Sequence, residues 1–355
     1  MSSGHMTLVA LLAAALMTPS AKAAPSAPKA PRTLAPSPSR PVAVFAIVIG
    51  VNAPRERSGL PLRFADDDAL AFHRIFGALG RSTLLTTLDA QTSALQPGLR
   101  PTRPTRSALL AAIRRTAAEI ARASARGKHT ALYLVYSGHG GSKNNAGYLT
   151  LEDGGRFTSS DLAALLANTR AAEAHVIIDA CDSYYVLREK RAGGRRGRVS
   201  GHFHRPRTVL ERFPKVGFVL STSGAAASHE WARYQAGVFS HEVRSALLGA
   251  ADVDGDGVVS YGELGTFILV ANRSIRNHRY RPKVFLRAPG RKHESPLLRL
   301  PLHRRASVRI VAPVPRRYYI ETALGVRLAD FHLQAAEPIT IWRPTSERLF
   351  VHDLT

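Results

Sequence analysis

Acidic side chains are scarce in this 355-residue chain, where 26 Asp and Glu face 49 Lys and Arg and leave a formal charge of +23. An excess of that size favours acidic ligands, surfaces and polyanions as partners and says nothing about fold. Cysteine is scarcer still: Cys181 stands alone. A lone thiol excludes a disulfide framework within the chain and a cysteine-built zinc site. Long apolar runs are missing as well. The stretch from Leu8 to Met17 is ten residues, too short to span a bilayer. What the chain does have is ordinary, 45% apolar and 21% charged residues, which excludes wholesale disorder and a collagen-like fibre. The length fits one large domain or two modest ones.

The positive charge is concentrated. Residues 188–212 carry nine Lys/Arg against two Glu, and residues 271–293 carry eight with no acid. Neither stretch shows a zinc knuckle or a recognition-helix pattern, so specific nucleic-acid reading is unsupported, while a non-specific acidic partner stays open. At the start, the Leu8–Met17 run is followed by Ala21-Lys22-Ala23, a small-x-small cleavage pattern. Residues 1–23 therefore read as a signal peptide for export to the periplasm or medium, with no transmembrane helix in the mature protein. The Pro/Ala/Ser-rich residues 24–40 read as a linker.

From Val42 the texture becomes that of a folded domain. The nearly unbroken apolar run Val42–Val51 suits a strand buried on both faces. Asp66–Leu79 has helical spacing, Thr83–Thr87 reads as a short strand, and a helix begins at Ser107. Ala131–Tyr136 is a second buried strand, and Thr158 to Asp161 form a capping signature for the next helix. His175–Ile178 and Val216–Leu220 supply further strands and Val238–Leu248 another helix. This alternation predicts an α/β fold, an open and mostly parallel sheet with helices on both faces, over residues 41–293. After about Glu294 the helical periods stop. Short alternating runs at Val308–Val311, Tyr318–Ile320 and Ile339–Trp342 predict a small β-rich extension over residues 294–355.

Two strand ends carry chemistry. Ala131–Tyr136 runs into Ser137-Gly138-His139-Gly140-Gly141, and the strand ending at Ile178 runs into Asp179-Ala180-Cys181-Asp182-Ser183. Ligands of open α/β sheets gather at the carboxyl ends of the strands. If these two strands are parallel neighbours, about 4.8 Å apart, His139 and Cys181 face the same crevice. An imidazole beside a thiol can take its proton and return it to a leaving amine. The backbone amides of Gly140 and Cys181 are candidate oxyanion donors. The competing reading is plain: Cys181 is a small core residue and His139 ends a loop.

The strings VYSGHGG and HVIIDACDS resemble the histidine and cysteine boxes of caspase-like cysteine peptidases, closest to bacterial metacaspase-type members. VFAIVIGVN with LRFADDDALAF is similar to that family's first strand and helix, and GFVLSTSGAAASHE and GVFSHEVRSALLG to its later segments. The resemblance covers about residues 42–290. It implies a caspase–hemoglobinase-like fold, a Cys181/His139 dyad, peptide-bond hydrolysis and no organic cofactor. It also implies cleavage after Arg or Lys, with Asp179 and Asp68 binding that basic side chain; a buried guanidinium needs carboxylate partners. Asp66–Asp68 equally suit a helix N-terminus. Where many relatives have His-Ser-Gly after the cysteine, this chain has Asp182-Ser183-Tyr184, and a carboxylate beside the thiol disfavours thiolate. The basic insertion 188–212, with Lys190, Arg191, Arg195, Arg196 and Arg198, reads either as a self-cleavage loop or as a solvated basic loop.

A second pattern stands apart. Asp252 to Glu263 matches the twelve-residue EF-hand loop: Asp252, Asp254 and Asp256 at positions 1, 3 and 5, Gly257 at 6, the Val258 carbonyl at 7, Ser260 at 9 and Glu263 at 12. Ca²⁺ is the cation expected there, although such loops usually come in pairs and no second one is present in the sequence. The leading expectation is a cysteine endopeptidase; the alternative is a non-catalytic, caspase-like interaction module that binds calcium.

Overall fold

The computed structural model describes residues 42–53, 61–143, 146–187, 208–221, 230–273, 275–301, 307–344 and 347–354. The chain divides into residues 1–35 and 36–355, and every described residue belongs to the second unit. The expected signal peptide, the linker, and residues 188–207 of the basic insertion with its five cleavage candidates lie outside the described residues. No helix among those described is long and apolar enough to cross a membrane.

Apolar runs set the centre. Strands β1 (Val42–Gly50), β2 (Gly80–Leu85), β3 (His129–Ser137), β7 (Glu173–Asp179) and β8 (Val216–Ser221) are mutually parallel, and β12 (Val284–Arg287) closes one edge antiparallel to β8. The order is β12-β8-β7-β3-β1-β2. The chain passes from β1 to β2 on one side and then to β3 on the other. The sheet therefore has its switch point between β1 and β3, where open α/β sheets hold ligands.

Both faces are covered. One core combines Ile47, Ile49, Leu134, Val176 and Phe218 of the sheet with residues of α3 (Arg106–Ala125) and α4 (Ser159–Thr169). The opposite core joins Val48, Val135, Ile177 and Val219 to α1 (Ala65–Leu79), α6 (Val238–Ser245) and α7 (Tyr261–Arg273). Alternate side chains of each strand feed opposite cores, as the pleat requires. The Thr158–Asp161 signature is a full capping box: the Thr158 hydroxyl accepts from the Asp161 amide, and the Asp161 carboxylate accepts from the Thr158 amide.

The smaller elements include α2 (Ala90–Leu95), α5 (Val209–Arg212), a three-stranded sheet β4–β5–β6 (Gly140–Lys143, Ala146–Thr150, Arg156–Thr158) and a hairpin β9–β10 (Glu230–Trp231, Ala236–Gly237). Strand β11 (Val258–Ser260) pairs with β13 (Pro296–Arg299). The C-terminal region is all strand, as expected: β14 (Ser307–Ile310) pairs with β17 (Ile339–Trp342), and β15 (Arg316–Thr322) lies between β16 (Arg327–Leu333) and β18 (Leu349–Asp353). These strands share a core with Ile75 of α1 and with Leu248 and Ala250 beyond α6. The helix expected through Leu248 ends at Ser245 and gives way to a π-type turn over Ala246–Ala250. Gly249 explains the change: its φ of 111° is open to glycine, and a Cβ there would stand 2.3 Å from the Thr340 carbonyl oxygen.

Candidate active site

Strand register brings the two predicted residues to one rim. Ser137 of β3 pairs with Asp179 of β7, the Gly138 amide donates to the Asp179 carbonyl at 3.0 Å, and His139 and Cys181 each follow two residues beyond that pair. Gly140 is a point of close approach between the two loops. A Cβ at Gly140 would stand 2.2 Å from the Cys181 carbonyl oxygen, so only glycine lets the two backbones approach in this way. The His139 carbonyl is clamped by the Thr150 amide at 2.9 Å and the buried Tyr136 hydroxyl at 2.7 Å. The loop bearing the imidazole is thus fixed from below.

The ring itself is held from β1. The carbonyl of Asn52, two residues past the end of that strand, bonds to the His139 imidazole, and Nε2 is left buried without a hydrogen-bond partner. With Nδ1–H engaged, Nε2 carries the lone pair that a general base needs. Asn52 is secured in turn: its Nδ2 donates to Asp66 at 2.6 Å, and its Oδ1 accepts the amides of Ala65 and Asp66 at 2.8 and 3.2 Å. Asp66, fully buried in the first turn of α1, therefore acts on the site through Asn52.

Burial governs protonation at this rim. It pushes the half-buried Cys181 thiol up, and the carboxylates of Asp179 and Asp182 push it further. Burial pushes the His139 imidazole down, against the opposing effect of the Asn52 carbonyl. The resting pair is a neutral thiol and a neutral imidazole. Asp182 has a left-handed φ of 55°, so the backbone turns sharply just after the cysteine.

Beneath the rim lies an acidic recess that contains both predicted specificity residues. Asp68 Oδ2 accepts the Gly237 amide at 3.0 Å and the Ser137 hydroxyl at 3.2 Å. Asp179 Oδ2 accepts the Ser240 hydroxyl at 2.8 Å and amide at 3.2 Å. Gly237 stands between the two carboxylates: a Cβ there would lie 2.7 Å from Asp179 Oδ2 and 3.0 Å from Asp68 Oδ2. Asp68 sits in the first turn of α1 and, through the Gly237 amide, is tied to the start of α6. Burial lifts its carboxyl to about 8, with Arg244 opposing, and lifts Asp179 as well.

Ser240, Gly237, Arg244 and Asn52 were not singled out from the sequence. Arg244, 4% exposed, places Nη2 3.3 Å from Asp68 Oδ1. A visible signal existed, because Glu242 and Arg244 are charged residues inside a helix otherwise destined for the core. Asn52 acts through its main-chain carbonyl, for which no side-chain pattern exists.

The EF-hand-like loop lies elsewhere, running from just past the π-type turn into the first turn of α7, which carries Glu263. It brings Asp252, Asp254 and Asp256 together, with ligand oxygens within 4.8 Å of one another. Glu263 is outside that cluster, its Oε2 accepting the Ser260 amide and hydroxyl, each at 2.8 Å.

Solved structures to which the chain shows some similarity include the Drosophila initiator caspase Dronc, at 9% identity over 72% of this chain and 84% of that one, with a TM-score of 0.35. The structure of pro-sf-caspase-1 gives 12%, 70%, 88% and 0.39, and caspase-1 from Spodoptera frugiperda gives 10%, 70%, 87% and 0.38. No curated protein matches in sequence. At those TM-scores the assignment rests on the sequence family. Residues 43–261, well over half of the chain, match the caspase domain, and the protein belongs to that family of cysteine peptidases.

Proposed function

We propose that this protein is an endopeptidase that cleaves after Arg or Lys, with Cys181 as nucleophile and His139 as general base and then acid. The observation that carries the reading is the pair of carboxylates, Asp68 and Asp179, on either side of Gly237 beneath the rim shared by His139 and Cys181. Two carboxyl groups there offer partners to an incoming guanidinium or ammonium, Asp68 releasing its proton as the cation pairs with it.

In this reading His139 Nε2 accepts the thiol proton as Cys181 Sγ attacks the scissile carbonyl carbon. The oxyanion is met by the amides of Gly140 and Cys181. The tetrahedral adduct collapses, the C–N bond breaks, and the proton passes from His139 to the departing amine. Water then attacks the thioester, giving its proton to His139, and that proton returns to Sγ as the carboxylic acid leaves. Thiolate forms only during attack, in keeping with the upward push on the thiol and the downward push on the imidazole.

Fluorogenic peptides ending in Arg, Lys or Asp, assayed under reducing conditions, test the proposal. Turnover of the Arg and Lys peptides, none of the Asp peptide, and a loss of at least about 10³-fold in Cys181→Ala is the expected result. Equal turnover of all three peptides, or undiminished activity in Cys181→Ala, overturns it. A second reading, a non-catalytic caspase-like module, is favoured by the burial that pushes the thiol up and by the two carboxylates that add to the push. It predicts no turnover of any peptide by the reduced wild type.

A further inference from the structure

We propose that the loop from Asp252 to Glu263 binds a single Ca²⁺ ion and that β13 takes the place of the missing second loop. The stretch is electrostatically set apart. From Ser245 to Asn272 the chain contains four carboxylates and no Lys or Arg, although the whole protein carries +23. Three of the acids converge, with oxygens of Asp252, Asp254 and Asp256 within 4.8 Å of one another. Such crowding of like charges is unfavourable without a counter-charge.

An independent observation points to a ligand. Asp252 is 8% exposed, and its Oδ1 is buried with no hydrogen-bond partner. Its other oxygen is engaged, accepting the Gly257 amide at 3.1 Å. A buried carboxylate oxygen left unmatched is costly, and a cation among the three acids would satisfy it. The loop backbone is already shaped, with Gly255 and Gly257 at φ of 71° and 81°. The Asp256 and Val258 amides donate to Asp254 and Asp256 at 3.2 and 2.7 Å.

The absence of a second loop is met by the fold. Val258–Ser260 pairs with Pro296–Arg299, and the Leu300 amide donates to the Gly257 carbonyl at 2.8 Å. The strand that follows the ion-binding turns is thus anchored within the same chain. Glu263 is the moving part. Its Oε1 accepts the Val253 amide at 3.3 Å, so it already leans across the loop, and release of Ser260 frees Oε2 to join the ion. The donors are all oxygen, which selects a hard cation. Their number, with three carboxylates, the Val258 carbonyl and a Glu263 that can bind through both oxygens, suits Ca²⁺ better than the smaller, water-retaining Mg²⁺.

Titration calorimetry and thermal unfolding of chelator-treated protein test the site without recourse to peptidase turnover. One Ca²⁺ per chain is expected, with Kd between about 10⁻⁷ and 10⁻³ M, a higher unfolding temperature with Ca²⁺, and at least about tenfold weaker binding of Mg²⁺. Glu263→Gln and Asp254→Asn should each weaken Ca²⁺ by about tenfold or more. Asp254 is exposed, so its variant folds even where Glu263→Gln does not. No heat and no thermal shift with wild type at millimolar Ca²⁺ overturns the proposal. So does binding that Asp254→Asn leaves untouched, or Mg²⁺ binding as tight as Ca²⁺.

Discussion

Asp68 keeps a proton through neutral pH, because burial lifts its carboxyl to about 8 and Arg244 at 3.3 Å only partly opposes this. Asp179 nearby adds to the lift. The folded protein therefore holds a proton that the unfolded chain releases near 3.8. Its contribution to stability is fully present below that value and is lost as pH rises towards 8. Substrate binding has the opposite sense. A guanidinium that pairs with Asp68 must displace the proton, so the KM of an Arg peptide should fall as pH rises from 6 to 8, by at most about tenfold per unit. The matched citrulline peptide, neutral and close in shape, should show no such slope. Steady-state kinetics on both peptides across that range checks it, and parallel slopes would remove Asp68 from the recess chemistry.

At the scale of elements, the recess is built where the β9–β10 hairpin turns into α6, and Gly237 is the joint. Its φ of −63° is open to any residue, so Gly237→Ala meets no backbone strain and acts only through the added methyl. That methyl would lie 2.7 Å from Asp179 Oδ2 and 3.0 Å from Asp68 Oδ2, pressing on both carboxylates proposed to meet the basic side chain. The expected outcome is a KM for Arg peptides raised by about tenfold or more with a smaller change in kcat, together with a loss of about 1–3 kcal/mol in urea unfolding from the crowded methyl. The elements themselves were largely legible. Buried parallel strands announce themselves as apolar runs, and β1, β3, β7 and β8 fall within two residues of expectation because only their polar ends are ambiguous. The α4 capping box was readable from Thr158 and Asp161 alone. The β4–β5–β6 sheet was not, since a segment with five glycines in nineteen residues has no clean period. His139, Cys181, Asp68 and Asp179 were reached through the family resemblance and strand-end logic. Arg244 and Ser240 were missed because their partners are more than sixty residues away in sequence, and Gly249 was missed because its conformation answers to the Thr340 backbone.

Across the whole molecule, the C-terminal strands are joined to the recess through α6. His241 Nε2 lies 2.6 Å from Asp330 Oδ2 of β16, and the Asp330 amide donates to the Ser245 hydroxyl at 3.1 Å. Arg327 completes the group by donating its Nε to Asp330 at 2.7 Å while its guanidinium lies over the rings of Tyr319 and Tyr234, at 4.0 and 5.0 Å. Burial pushes His241 down, whereas the imidazole and Arg327 hold Asp330 below the usual carboxylate range. The arrangement is a neutral His241 donating to an ionised Asp330, with Arg327 supplying the positive charge. The same helix presents Ser240 to Asp179 and Arg244 to Asp68, so a loosened dock should be felt in the recess. Removing one member of a buried ion pair leaves the other charge uncompensated and costs about 3–5 kcal/mol. Asp330→Ala should lose that much in urea unfolding and raise the KM for Arg peptides. Asp330→Asn keeps an acceptor for His241 and the shape of the site, and should lose less on both measures. If Asp330→Ala unfolded at the wild-type urea concentration with an unchanged KM, the C-terminal strands would be a passenger on this domain; the shared core of Ile75, Leu248 and Trp342 argues that they are part of its frame.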